Sequence, residues 1–302
     1  FYRTMNFFKT ISKAMLVVMA VAIPFTSNAN ETKGKPNVLI DYFWRPANIP
    51  FSCAEQLRSY VMEGISNTNR VELIDVDSQD ALAIEASRRE AGVDAGDDAE
   101  RLKVMSQQGA NFLIQGRIAS LNIEEKTTDD GSKYYTGQLS YTLKAINPND
   151  GKLVLTKTFK HGGELLNMET SNTPDEAVTK VCRSAVKSVV PFIQEAFPLY
   201  GTLLECNEVK GDKVNSVYMS LGAAHGVAEK DRFEVCIVRE IAGRKSTKAI
   251  GECEIASVDG DDISSAKIKK GNKEIKAAVD GGQTIVFKSV PKKENVFSGF
   301  KL

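Results

Sequence analysis

The chain has 302 residues, 42% hydrophobic and 8% aromatic, with 39 basic and 39 acidic side chains and two histidines. That length makes one large domain or two ordinary ones, and the balanced charge excludes the bulk positive field that nucleic acid or an anionic membrane face selects. Two histidines leave little imidazole for a histidine-rich metal centre or a triad hydrolase, which use it as ligand or base.

The first 29 residues read as an export signal with a short upstream extension before Met5. Lys9 and Lys13 supply the positive region, residues 14–23 an apolar run of ten, and Ser27-Asn28-Ala29 a small-residue cleavage site. Ten residues are too few to cross a hydrocarbon core, which takes about 20, so no transmembrane segment is expected in the mature chain. With no cysteine at the cleavage point, the expected product is a soluble periplasmic protein without a lipid anchor. Cleavage after Ala29 removes three cations and leaves 36 basic against 39 acidic groups.

A polar linker over 30–36 leads into a strand at 37–43, closed by Pro46 and Pro50. Ser52 is the expected N-cap of a helix to about Ser66, with Cys53, Leu57, Val61 and Ile65 on its apolar stripe. A strand at 71–76 precedes a charged, alanine-rich helical region over 80–108, with Gly109 as its stop. The period then falls to two, predicting strands at 111–126, 134–147 and 152–161, joined by turn sequences rich in Asp, Asn and Gly. One helix is expected from 174 to 197, with Val178, Val181, Cys182, Ala185, Val189 and Phe192 on one face, and a domain boundary near Leu199-Tyr200. Beyond it lie six short strands with glycine turns and no helix, spaced like a small antiparallel barrel, then a loosely ordered tail over 291–302.

Those elements carry a resemblance. Residues 37–43, the helix and strand that follow, and Gly109-Ala110-Asn111-Phe112-Leu113-Ile114-Gln115-Gly116-Arg117-Ile118 resemble the periplasmic domain of the curli secretion channel family (CsgG-like) and the amino-terminal domain of TolB. Val217-Tyr218-Met219-Ser220-Leu221-Gly222, His225-Gly226-Val227 and Phe233-Glu234-Val235 are similar to the carboxy-terminal domain of the flagellar assembly protein FlgT. Lys230 stands where that pattern prefers glycine. The implied architecture is α+β: an α/β sandwich over 37–198, with a mostly antiparallel sheet and helices on one face, then a small all-β SH3-like barrel over 199–290. Leu221-Gly222 and His225-Gly226 read as a tight barrel corner that needs positive φ.

No residue is assigned a catalytic, cofactor-binding or metal-binding role. Asp75, Asp77, Asp80, Asp94, Asp97 and Asp98 lack the glycine and closing glutamate of a calcium loop, and Asp259-Gly260-Asp261-Asp262 reads as a solvated turn. His161 and His225 read as turn histidines without a serine, cysteine or second histidine at productive spacing. Lys267, Lys269, Lys270, Lys273 and Lys276 read as a strand edge guarded against aggregation, with an anionic-glycan or partner patch as the alternative. Of five cysteines, Cys236 and Cys253 are not expected to bond; the expected hairpin register sets Val235 against Cys253 and turns Cys236 to the other face. A bond between Cys53 and Cys182, both on helical stripes facing one sheet, is left open.

The expected function is that of a non-enzymatic periplasmic scaffold or assembly protein, docking on cell-envelope proteins or on itself and using no cofactor or nucleic acid. A curli-like secretion channel is the second reading, against which stands the charged hairpin tip at 124–130. A secreted glycan-binding module or hydrolase is the third.

Overall fold

The computed structural model describes residues 35–75, 109–162 and 170–292. The expected export signal, the helical region over 80–108 with its acids from Asp77 to Asp98, and the tail from 293 lie outside them.

The first half is a five-stranded mixed sheet. It comprises β1 (Asn37–Ile40), β2 (Glu72–Asp75), β3 (Phe112–Thr127), β4 (Lys133–Ile146) and β5 (Leu153–His161), in the order β2-β1-β3-β4-β5. A mostly antiparallel sheet was the expectation; β1 in fact runs parallel to both β2 and β3, and only β3–β4–β5 is antiparallel. Helix α1 (Phe51–Ser66) carries the chain from β1 back to start β2 in the same direction, which makes that pairing parallel.

Helix α1 begins one residue ahead of the expected cap: Pro50 occupies the N-cap without a side-chain hydrogen bond, so Ser52 caps nothing. Its expected stripe is the buried one, with Leu57, Val61 and Ile65 at 0% exposure and Cys53 at 3%. Each such apolar side chain contributes about 1.5–3 kcal/mol over leaving it in water. The helix expected over 174–197 divides at Ser184 into α2 (Pro174–Arg183) and α3 (Ala185–Ala196). Ser184 keeps right-handed dihedrals (φ −56, ψ −23), so the division is an interruption of the hydrogen-bond ladder, with no turn of the chain. Thr173 caps α2 by accepting from the Glu176 N–H at 3.2 Å, and the Glu176 carboxylate accepts in return from the Asn172 N–H at 2.9 Å. The three helices share one core with Val38, Ile40, Ile114, Ile118, Tyr141, Leu143 and Phe159 from a single sheet face.

The second half is a closed, wholly antiparallel barrel in the order β10-β7-β6-β11-β8-β9. Its strands are β6 (Tyr200–Lys210), β7 (Lys213–Met219), β8 (Arg232–Ile241), β9 (Arg244–Val258), β10 (Ser264–Lys270) and β11 (Ile285–Val290). No helix was expected here, yet Asn272–Asp280 forms α4, which buries Ile275 and Ala278 in the barrel core and donates from the Asn272 side-chain amide to the Val214 carbonyl at 2.8 Å. Nine residues carry too short an apolar stripe to reveal that segment in the sequence.

From Lys35 onward the chain forms one unit, and the junction between sheet and barrel is polar and buried. Arg70, just past α1, donates from Nη1 to Ser289 Oγ of β11 at 3.1 Å, and Ser289 Oγ also accepts from the Leu199 N–H at 2.9 Å. Lys292 donates its N–H to Gln194 of α3 at 2.7 Å and pairs through Nζ with Asp231 at 3.0 Å. Burial pulls the Arg70 pKa down, with the Asp231 charge opposing that shift. The His225-Gly226 corner supplies a further contact: Gly226 has φ +74, and a Cβ there would lie 2.3 Å from the Thr68 carbonyl oxygen. Gly222 does not take the expected positive φ; at φ −150 it is needed because a Cβ would lie 2.2 Å from the Gly260 carbonyl oxygen.

Candidate docking surface

The face of β3–β5 opposite the helices is built by strand alternation. Ile114, Gly116 and Ile118 turn toward the helical core, which sends Gln115 and Arg117 outward. In register, Gln115 stands beside Lys144 and Thr156, Arg117 beside Thr142 and Thr158, and Ser120 beside Ser140 and Lys160. The Thr142 and Thr158 hydroxyls are 2.9 Å apart, which fixes them on one side of the sheet. With strands about 4.8 Å apart and same-face residues about 6.8 Å apart along each strand, Arg117, Lys144 and Lys160 span the three rows. All three are exposed, and none has an ion-pair partner among the described residues. None of these nine positions carries a carboxylate.

Trp44 extends this face at its β1 side. Gly116 makes room for Phe43, since a Cβ at Gly116 would lie 2.4 Å from the Phe43 ring. With Phe43 drawn into the core, the chain sends Trp44 outward, and the Trp44 N–H and carbonyl bond to Gly116 and Ile118 of β3 at 2.9 and 2.8 Å. Trp44 remains 51% exposed, with the Arg117 guanidinium 4.0 Å from its ring centroid. The loop that follows is held by Arg45, which donates to the Ile49 carbonyl at 2.6 Å. At the opposite margin β5 is the last strand of the sheet, and Leu153 and Val154 at its start are 54% and 41% exposed.

The lysine cluster singled out in the sequence lies elsewhere, and four of its five lysines are paired. Lys269 pairs with Glu254 at 3.0 Å, Lys270 with Glu252 at 2.8 Å, Lys273 with Asp212 at 2.8 Å, and Lys276 with Asp280. It does not form a strand edge: β10 is bonded to β9 and β7 on its two sides, and Lys273 and Lys276 belong to α4.

His225 sits in a 3-10 turn (Ala223–His225), its Nδ1 accepting from the Gly222 N–H at 3.3 Å. His161 ends β5 with Nε2 3.2 Å from Ser188 Oγ and 3.4 Å from the Tyr141 hydroxyl. A serine thus does stand beside this histidine, brought by α3 from 27 residues away, a pairing that linear spacing could not reveal. Ser188 also contacts the Ala185 carbonyl at 3.3 Å, so the group ties α3 to the sheet. Asp259, Asp261 and Asp262 are exposed in a turn, as expected, and Asp75 ends β2. Among the described residues no three His, Cys, Asp or Glu side chains gather where they could hold a metal ion, and no helix is long and apolar enough to cross a membrane.

No family model matches the sequence, and no curated protein matches it. Several solved structures are similar at low identity. A PelC dodecamer from Paraburkholderia phytofirmans is 13% identical, with TM-score 0.34, over 54% of this chain and 88% of that one. The lipoprotein GNA1162 from Neisseria meningitidis is 11% identical, with TM-score 0.33, over 51% and 96%. The LpoB C-terminal domain from Escherichia coli is 8% identical, with TM-score 0.27, over 44% and 87%. At these scores the similarities assign no function. The resemblance to the curli-channel, TolB and FlgT domains therefore rests on the sequence motifs.

Proposed function

We propose that this protein is a non-enzymatic scaffold of the bacterial cell envelope that docks an acidic segment of a partner protein on the outer face of β3–β5. The observation that carries the reading is the set of three exposed cations, Arg117, Lys144 and Lys160, on a face without a carboxylate in their rows. Trp44 and Arg117 belong to the residue types that concentrate binding energy at interfaces. Strand β5, last in the sheet among the described residues, adds a backbone ladder that an extended segment can join. The export signal read at residues 1–29 and the curli, TolB and FlgT resemblance support the envelope location and an assembly role. The curli-like channel is less well supported: the β3–β4 tip carries Glu125 paired with Lys133 at 2.6 Å and Lys126 with Glu124 at 3.7 Å, a surface suited to water.

A photo-crosslinking residue at Thr158, with identification of the crosslinked peptide, tests this in the intact envelope, alongside binding of a polyglutamate peptide and of alginate to the purified full chain. The reading expects crosslinks to an acidic protein segment and polyglutamate binding that weakens with salt and falls at least tenfold in the K144E/K160E variant. Binding of alginate alone, crosslinks to a second copy of this chain alone, or indifference to the charge reversal would overturn it.

A further inference from the structure

Helices α1 and α2 cross antiparallel on the inner sheet face, and their register is marked by two contacts. Gln56 donates from its side-chain amide to Thr179 Oγ1 at 3.0 Å. One turn away on each helix, three residues before Gln56 and three after Thr179, stand Cys53 and Cys182. Both are in the shared core, at 3% and 0% exposure, and both stand as free thiols in the structure.

The other three cysteines are placed apart. Cys253 faces the barrel core opposite Phe233, while Cys236 lies opposite Ala249 with its neighbours Val235 and Ile237 turned inward. The observed register differs from the expected pairing of Val235 with Cys253 because the hairpin turns at Ala242 and Gly243, both with positive φ. It still leaves Cys236 and Cys253 on opposite faces of the β8–β9 pair. Cys206 stands opposite Val217 on the β6–β7 ladder.

We propose that Cys53 and Cys182 form the protein's one disulfide, a covalent link between α1 and α2 made whenever the chain folds in the presence of a disulfide oxidant. The step is an exchange. The thiolate of one cysteine attacks a sulfur of the incoming disulfide and releases the first oxidant thiolate. The partner cysteine, as thiolate, then attacks the mixed disulfide and releases the second. One S–S bond forms and one breaks, and the two protons and two electrons lost by the cysteines leave on the oxidant, which departs as two thiols. In the envelope the oxidant class is a protein disulfide donor; oxidised glutathione serves in vitro. Since the native pair is buried, the exchange occurs before the helices close over it, and closure then shields the bond from reductants. The neighbouring Cys182 holds the Cys53 thiol below its ordinary value, and Cys53 together with burial raises Cys182. The bond encloses more than a hundred residues, and so removes much of the freedom of the unfolded chain.

The purified full chain, reduced and unfolded, is refolded in oxidised and reduced glutathione, denatured in iodoacetamide and peptide-mapped without reduction. Cys53 and Cys182 peptides should be joined, with Cys206, Cys236 and Cys253 alkylated. The melting temperature should be roughly 5–10 °C lower for parent refolded in reductant than for parent refolded in the glutathione mixture, and the same after either refolding for the C53A/C182A variant. The single variant C182A, should the double one not fold, should leave Cys53 alkylated. Alkylated Cys53 and Cys182 in the parent refolded with glutathione, a bond from either to a third cysteine, or a parent melt that is the same after refolding in reductant would overturn the proposal. None of these readouts depends on the docking face.

Discussion

Arg70 and Ser289 are separated by 219 positions and meet at 3.1 Å, joining the residue just after α1 to the last strand of the barrel. Both are 3% exposed, and Asp231, at 4%, is the acid whose charge reaches Arg70. The junction therefore holds a buried cation, a buried carboxylate and a hydroxyl that also receives the Leu199 N–H.

Replacing Arg70 by methionine leaves Asp231 and Ser289 without that cation in a buried site. The expected cost is about 3 kcal/mol, with loss of coupling between the halves. Calorimetry should show one transition in the parent and two in R70M; a single transition at the parent midpoint would count against the junction's role.

Lys230 adopts φ +68, a region in which a β-carbon is strained, at the position where the FlgT pattern prefers glycine. K230G should therefore stabilise the protein by about 0.5–1 kcal/mol, read as a higher midpoint in urea with an unchanged slope.

Gly116 is expected to tolerate no side chain while Phe43 stays in place, because a Cβ meets the Phe43 ring at 2.4 Å. G116A should cost about 1–3 kcal/mol, and the displaced loop should release Trp44 from Arg117. Trp44 is the chain's single tryptophan, so its fluorescence reports the change directly.

Glu125 is held below the usual carboxylate range by hydrogen bonds from Lys133 and then Tyr135. A depressed folded-state pKa gives stability that is present above the ordinary glutamate value of about 4.3 and lost as pH falls through the lower folded value. The β3–β4 tip should therefore loosen only below about pH 4. A carboxyl titration followed by NMR should place the Glu125 inflection below that ordinary value, and K133A should move it upward.

Much of the architecture was legible locally. The period-two runs located β3, β4 and β5, and the four-residue spacing of Cys53, Leu57, Val61 and Ile65 selected the buried face of α1. Both signals are set by neighbours within a few residues, as are the turn at 259–262 and the sequence that opens α2. Helix α4 escaped because nine residues with two lysines carry too short an apolar stripe, and its burial depends on the barrel it enters.

The candidate site was not legible, for a different reason. Five lysines close together in sequence read as a guarded strand edge or a cationic patch, yet Glu252 and Glu254 from β9 and Asp212 from the β6–β7 turn pair with three of them, and Asp280 pairs with a fourth. Arg117, Lys144 and Lys160 look unrelated in the chain and become one face only when β3, β4 and β5 pair in register. The same holds for Ser188 beside His161 and Arg70 beside Ser289, whereas Cys53 and Cys182 were already a candidate pair from their apolar stripes. Sequence by itself determined the local periodicities, because helix and strand geometry act over a few residues. Only the tertiary structure decided which charges are cancelled and which polar side chains meet, because those depend on strand order, register and helix crossing between residues far apart in the chain.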